Sequence, residues 1–173
     1  VALINDILRL SQLDEGGALP HEQVSVLELA QEAARSLTAQ AAAQAVHISV
    51  TGTAGTVFGV RRLLYEIARN LCENAVKYNV PGGSVTVEVA ETDRDVALLV
   101  RDTGIGIPEG DQSRVFERFY RVDKSHSRAI GGTGLGLSIV KHAVAYHHGT
   151  LRLESQLGKG TVITVTLPKK PTE

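Results

Sequence analysis

The chain has 173 residues, enough for one domain with a full hydrophobic core and a short appendage. Hydrophobic residues make up 43% and charged residues 21%, the profile of a globular protein, and a net charge of -1 argues against a polyanion such as a nucleic acid as the main partner. The single cysteine, Cys72, excludes an internal disulfide, and no apolar run approaches the roughly 18–20 residues that a bilayer crossing needs.

The sequence opens at Val1 inside a helical pattern and contains no methionine, so it is expected to be a piece of a longer protein. Residues 1–14 (VALINDILRLSQLD) place Leu3, Ile4, Ile7, Leu8 and Leu10 at helical spacing, and Glu15-Gly16-Gly17 ends the run. Two heptads are too short to be stable alone in water, so the apolar face needs a partner: its own domain or a helical bundle. Residues 22–26 read as a short strand, 27–44 as an Ala-rich helix, 46–50 as a strand and 52–56 (GTAGT) as a turn.

A long helix is expected from Val60 to Tyr78, ended by Asn79 and Pro81-Gly82-Gly83. Strands at 84–91 and 95–101 meet in a hairpin at Asp93. Residues 102–134 are irregular and rich in Gly and charge, with a short helix near 108–115. An irregular stretch of about 30 residues inside a compact domain points to a functional lid. A helix from Leu135 to His148, capped by Gly149, leads to strands at 150–155 and 161–167, joined through Gly158 and Gly160. In the last strand Ile163, Val165 and Leu167 alternate with Thr164 and Thr166, as in a sheet with one wet face. The expected fold is an α/β two-layer sandwich: three main helices on one face of a mixed, mostly antiparallel sheet, preceded by a short N-terminal helix.

Three segments carry chemistry. On the long helix, Val60, Leu64, Ile67, Leu71 and Ala75 mark the buried face, and Asn70, Asn74 and Lys77 stack on a stripe bordering it. Amides and an ammonium at a half-buried edge need partners. Asn oxygens suit Mg²⁺ that shares phosphate oxygens, and Lys77 suits phosphate itself; a solvated helix edge is the plain alternative. By alternation Asp102 shares the apolar face of Val96, Leu98 and Val100, so its carboxylate needs a donor, for which an adenine amine has the right size. Gly104 and Gly106 leave space for a flat ring, although the same run also reads as an Asp-Gly turn. Gly131 to Leu137 opens a helix, and glycine backbone before a helix N-terminus suits anions. It is neither a Walker A loop nor a dinucleotide fingerprint, and alone it reads equally as a hinge. Between these segments, Phe116, Phe119 and Tyr120 are expected to pin the loop, with Arg118, Arg121 and Lys124 adding positive charge.

Taken in order, these pieces resemble the catalytic domain of histidine kinases, in the superfamily shared with gyrase, Hsp90 and MutL. Residues Asn70 to Tyr78 (NLCENAVKY) match the N box, Asp102 to Pro108 (DTGIGIP) the G1 box, Phe116 to Arg121 the F box, and Gly132 to Leu137 (GTGLGL) the G2 box. Ser155 to Pro168 matches the closing strand pair, so the resemblance covers nearly everything after residue 55 and is nearest in style to phosphate-sensing and cell-wall-sensing kinases. It implies a Bergerat-type ATP-binding fold with ATP and Mg²⁺ bound. Asn74 would coordinate the metal with help from Asn70. Asn70, Lys77 and Arg121 would serve catalysis, Arg121 near the γ-phosphate. Tyr78 would line the base pocket, Asp102 would accept from the adenine amine with Thr161 nearby, and Gly104, Gly106 and Ile107 would shape that pocket. The ATP lid would lie at residues 110–134, or at 118–136 when counted from the F box into the G2 box. Gly132, Gly134, Leu135 and Gly136 would present backbone N–H groups to the phosphates, and Thr133 and Leu137 would also belong to the cofactor site.

The same resemblance makes residues 1–16 the end of the second helix of a dimerisation bundle, 20–170 the catalytic domain and 171–173 a tail. The implied partners are ATP or ADP, a histidine on the bundle helix outside this sequence, and a response regulator, with no nucleic acid and no direct membrane contact. The implied setting is cytoplasmic, on the inner side of an integral membrane sensor. His21-Glu22 is rejected as the acceptor, because it follows the bundle segment and precedes a strand. Val60 stands where many relatives carry Asp. The alternative is an ATP-driven clamp ATPase of the same superfamily, but that branch carries a water-activating Glu where this chain has Asn70.

Overall fold

Alternating valines and leucines build the centre of the sheet. In the computed structural model, which describes residues 2–14, 19–122 and 131–170, Val85, Val87 and Val89 of β4 (Ser84–Glu91) are buried. So are Val96, Leu98 and Val100 of β5 (Asp95–Asp102), and Ile163, Val165 and Leu167 of β7 (Gly160–Pro168). With β2 (His47–Gly52) and β6 (Thr150–Gln156) they form one five-stranded sheet in the order β2-β4-β5-β7-β6. The β2–β4 pair is parallel and the other pairs are antiparallel. A separate two-stranded ribbon joins β1 (Glu22–Ser25) to β3 (Thr56–Gly59).

Three helices cover one face: α2 (Val26–Ser36), α4 (Arg61–Lys77) and, after the glycine run, α5 (Gly136–Tyr146). Their buried positions repeat at helical spacing, as in Leu64, Ile67, Leu71 and Ala75 of α4. Each such Leu, Ile or Val stabilises the fold by about 1.5–3 kcal/mol relative to exposure. The expected sandwich with a mixed, mostly antiparallel sheet is therefore present.

Four details differ from the sequence reading. The helix expected over 27–44 breaks at Leu37 (φ -103°, ψ 3°) into α2 and α3 (Thr38–Ala43), and the break turns Leu37 into the core. The turn expected at 52–56 is present between β2 and an additional strand, β3, whose Val57 lies opposite Val24, both buried. Four residues with so little alternation carry no readable period. The short helix near 108–115 shrinks to a 3-10 turn, Glu109–Asp111. Finally, α5 ends at Tyr146 with His148, not Gly149, in the left-handed conformation (φ 55°). His148 N–H donates to Ala145 O and Gly149 N–H to Val144 O, a Schellman arrangement. Gly149 is needed for another reason: a Cβ there would lie 2.6 Å from Thr166 O.

Helix α1 (Ala2–Asp14) runs as predicted, and Leu3, Ile4, Ile7 and Leu8 are exposed. Its polar edge touches the glycine run, where Thr133 Oγ1 donates to Asp6 Oδ2 at 2.7 Å. The stop at Glu15-Gly16-Gly17, the Leu10 side chain, Lys124 and the tail 171–173 lie outside the described residues.

Candidate functional site

The edge of α4, the end of β5, the start of β7 and the glycine run enclose one cleft of about 770 Å³. Asn70, Asn74 and Lys77 face it from successive turns of α4, as their spacing predicts, with Tyr78 at the helix end. Asn70 is only 8% exposed, and its Nδ2 donates to Glu66 O at 2.8 Å and Glu66 Oε2 at 3.2 Å. Its Oδ1 lies toward the glycine run, since a Cβ on Gly136 would come within 3.0 Å of it. Asn74 is half-buried and forms no side-chain hydrogen bond with another described residue.

Lys77, Arg121 and Gly132 converge at one end. A Cβ on Gly132 would crowd Lys77 Nζ and lie 3.9 Å from Arg121 Nη2, so the ends of both cations sit close to that backbone. Burial holds the Lys77 ammonium below the usual lysine range; Glu73 opposes this and Arg121 adds to it. An anion placed between the two cations relieves both burial and repulsion. Burial also pushes the Tyr78 phenol up, against the effect of Arg121.

Asp102 lines the same cleft from the end of β5. Its Oδ1 accepts from Gly104 N–H at 2.8 Å and from Thr161 N–H at 3.3 Å, while Oδ2 has no hydrogen bond from another described residue. Burial raises the Asp102 carboxyl above its ordinary value, and the two backbone donors oppose the rise. Strand register fixes the pair, because Asp102 lies opposite Thr161 in the β5–β7 ladder. Ser155 Oγ accepts from Ile107 N–H at 2.8 Å and shares a 2.8 Å hydrogen bond with Thr161 Oγ1. Gln112 Nε2 donates to Ile107 O and Ser155 O, at 2.9 and 3.0 Å. The loop after β5 is therefore held to the β6–β7 turn.

Most of the sequence-predicted residues line this cleft: Asn70, Asn74, Lys77, Tyr78, Asp102, Gly106, Ile107, Arg121, Gly132, Thr133, Gly134, Gly136, Leu137 and Thr161. Gly104 and Leu135 do not. A Cβ on Gly104 would strike Tyr78 O at 2.3 Å, so this glycine serves close backbone packing rather than ring access. Gly106 (φ 70°) lines the cleft, yet its Cβ would strike Gln156 O at 2.1 Å, so it too is required by the protein's own backbone. The Leu135 side chain packs on Ile139, and its N–H donates to Thr133 Oγ1 at 3.3 Å.

The aromatic loop also departs from expectation. Phe119 is 57% exposed with φ 64°, and what ties the loop is its backbone: Phe119 N–H donates to Gly134 O at 3.0 Å. Tyr120 does anchor, through its hydroxyl to Asp111 Oδ1, with Arg114 stacked 4.3 Å from its ring centroid. Arg118 turns to His142 Nε2 at 3.1 Å, on α5. Lid residues 123–130 lie outside the described residues.

Sequence reasoning missed Glu66, Ser155, Gln112 and His147. Glu66 had a readable cue, one helical turn before Asn70. His147 had none, because its partner is 87 positions away: its buried Nε2 accepts Val60 N–H at 3.0 Å. Its Nδ1–H donates to Ala143 O at 2.8 Å, which makes the ring a neutral tautomer joining the end of α5 to the start of α4. Burial lowers its pKa; the Ala143 hydrogen bond opposes this, and the nearby His21 and His148 add to it.

Comparison with known proteins agrees with this fold. The chain is 42% identical to the sensor-like histidine kinase SenX3 of Mycolicibacterium smegmatis, over 98% of this chain and 44% of that protein, so it spans less than half of that relative. The solved mycobacterial sensor histidine kinase MprB aligns with a TM-score of 0.76 at 32% identity, over 88% of this chain and 100% of that one. Full-length ShkA, solved in complex with AMPPNP, aligns with a TM-score of 0.84 at 26% identity, over 99% of this chain and 36% of that one. A family model described as histidine kinase-, DNA gyrase B-, and HSP90-like ATPase matches residues 59–171, from the end of β3 through β7, and the chain belongs to that family.

Proposed function

We propose that this chain is the ATP-binding catalytic domain of a two-component sensor histidine kinase. It would hold Mg-ATP for phosphoryl transfer to a histidine on a dimerisation-bundle helix, and from there to a response regulator. The observation that carries this reading is the convergence of Asn74, Asp102 and Gly134 on one cleft, with Lys77 and Arg121 clustered around Gly132. Residues 20–170 form the catalytic domain with its lid at 110–134, residues 1–16 end the second bundle helix, and 171–173 are a tail. The exposed Leu3, Ile4, Ile7 and Leu8 suit a bundle seam.

Each end of the cleft has a task. Asp102 Oδ2 accepts the adenine amine beside Thr161, against Ile107 and Tyr78. Lys77, Arg121 and the backbone of Gly132 to Gly136 neutralise and position the phosphates. In the transfer, an imidazole nitrogen forms a bond to the γ-phosphorus, the bond to the bridging oxygen breaks, and ADP leaves. Positioning and charge neutralisation supply most of the catalysis in such reactions. The residues fit a magnesium ion: the Asn74 amide is open to the cleft, and the Asn70 oxygen faces the glycine run. No group of three or more His, Cys, Asp or Glu side chains forms a metal cage among the described residues, so amide and phosphate oxygens would be its ligands. When bound, magnesium neutralises charge on the transferring group. Asn70, in place of a water-activating Glu, favours transfer to protein over hydrolysis. No described helix is long and apolar enough to cross a membrane, and the reading places this domain on the cytoplasmic side of a membrane sensor.

Calorimetric titration with ADP, with and without Mg²⁺, tests the reading. Wild type should bind ADP and tighten with Mg²⁺, and Asn74→Ala should lose most of the metal-dependent gain. A chain that binds no ADP, or a variant with the full Mg²⁺ response, overturns it.

A further inference from the structure

Glu66 is the buried carboxylate that the chemistry above leaves without a task. It is 7% exposed, on the same helix as Asn70 and one turn before it, and it is the only Asp or Glu in the buried set of described residues. Its backbone oxygen and its Oε2 both accept from Asn70 Nδ2, at 2.8 and 3.2 Å. An amide nitrogen carries two hydrogens, and Glu66 offers an acceptor to each. The amide oxygen is then turned the other way, toward Gly136 at the opening of α5.

The two ends of an Asn amide are nearly equal in shape, so only neighbouring donors and acceptors decide which end points where. A carbonyl and a carboxylate have no hydrogen to give. Reversing Asn70 would set its oxygen against both acceptors in a buried place and present an NH₂ group to the cleft. A hard cation takes oxygen ligands and is repelled by NH₂. We propose that Glu66 is a positioning residue, which locks the Asn70 amide so that its oxygen faces the metal and phosphate end of the cleft. This rests on the Mg-ATP reading of the same site.

The test is calorimetric binding of ADP, with and without Mg²⁺, to wild type, Glu66→Ala, Glu66→Gln and the double variant Glu66→Ala/Asn70→Asp. Loss of an outer partner of a metal ligand weakens metal affinity by roughly 10- to 100-fold. Glu66→Ala should therefore lose about tenfold or more of the Mg²⁺-dependent gain, with metal-free ADP binding unchanged. Glu66→Gln keeps the volume, so it carries the test if the Ala variant fails to fold. Its own amide can meet either end of Asn70, and it should lose part of the gain. The double variant should recover the gain, because a carboxylate has oxygen at both ends and needs no orienting. The proposal is overturned if both single variants keep the full Mg²⁺ response, if metal-free binding falls in step with metal-bound binding, or if the double variant fails to recover. A wild type without any Mg²⁺ response would instead sink the Mg-ATP reading itself, so the two failures are distinguishable.

Discussion

Replacing Asp102 with asparagine should move ligand binding and apo stability in different directions. The asparagine oxygen can keep the two backbone bonds now made by Oδ1, from Gly104 and Thr161. On the proposed reading its NH₂ then replaces Oδ2 and confronts the adenine amine, donor against donor. A hydrogen bond to a charged acceptor is worth about 1.5–3 kcal/mol. ADP binding should therefore weaken by about 2–3 kcal/mol, roughly 30- to 150-fold. Inosine diphosphate, whose 6-oxo group accepts, should bind the variant better than wild type.

Stability follows the opposite logic. Burial raises the Asp102 pKa, so the folded state favours the neutral acid. At any pH above its raised value the ionised group detracts from stability, and the deficit fades as pH falls to the unfolded value of about 3.9. A neutral amide removes that deficit. The apo variant should melt at the same temperature as wild type or higher at pH 7, and the difference should shrink in acid. Calorimetry against both diphosphates and thermal melts at several pH values read these effects. An Asp102→Asn variant that binds ADP like wild type, or that is markedly less stable, refutes the reasoning.

Two further substitutions separate scaffold from site. His147→Ala leaves the buried Val60 N–H without its acceptor and opens a cavity, so stability should fall by about 2–4 kcal/mol in urea melts. In wild type the lowered His147 pKa makes a contribution that is complete above about pH 6.5 and is lost as pH falls, because the unfolded chain takes a proton that the buried ring refuses. The Ala variant should show a flatter profile between about pH 5 and 7, and an unchanged slope counts against the assigned tautomer. Gly106→Ala forces a Cβ against Gln156 O at φ 70°, at a cost of more than about 1–2 kcal/mol. It should weaken ADP binding while leaving the Mg²⁺ response intact, and a selective loss of that response would contradict its place at the base end.

Local periodicity made the site legible where neighbours in sequence are neighbours in space. The 4- and 3-residue steps of Asn70, Asn74 and Lys77 put them on one helix edge, and alternation along β5 aimed Asp102 inward. What stayed hidden depends on distant partners. Gly106 answers to Gln156, Ile107 to Ser155 and His147 to Val60, contacts that no local pattern encodes. Glycine content pointed to the right loops but to the wrong reason, since Gly104 and Gly106 make way for the chain itself. The ribbon strand β3 escaped because its partner β1 lies across the whole of α2, α3 and β2.

The β5–β7 ladder that sets Asp102 opposite Thr161 has a kinetic corollary. On the proposed reading the base end stands on two hydrogen-bonded strands, whereas the phosphate end is assembled from the irregular backbone of residues 131–135 ahead of α5. A nucleoside thus meets a ready half-socket, and the entropy of arranging the remainder falls on the phosphate chain. Adenosine should dock fast and leave fast, while residence time should lengthen with each phosphate added.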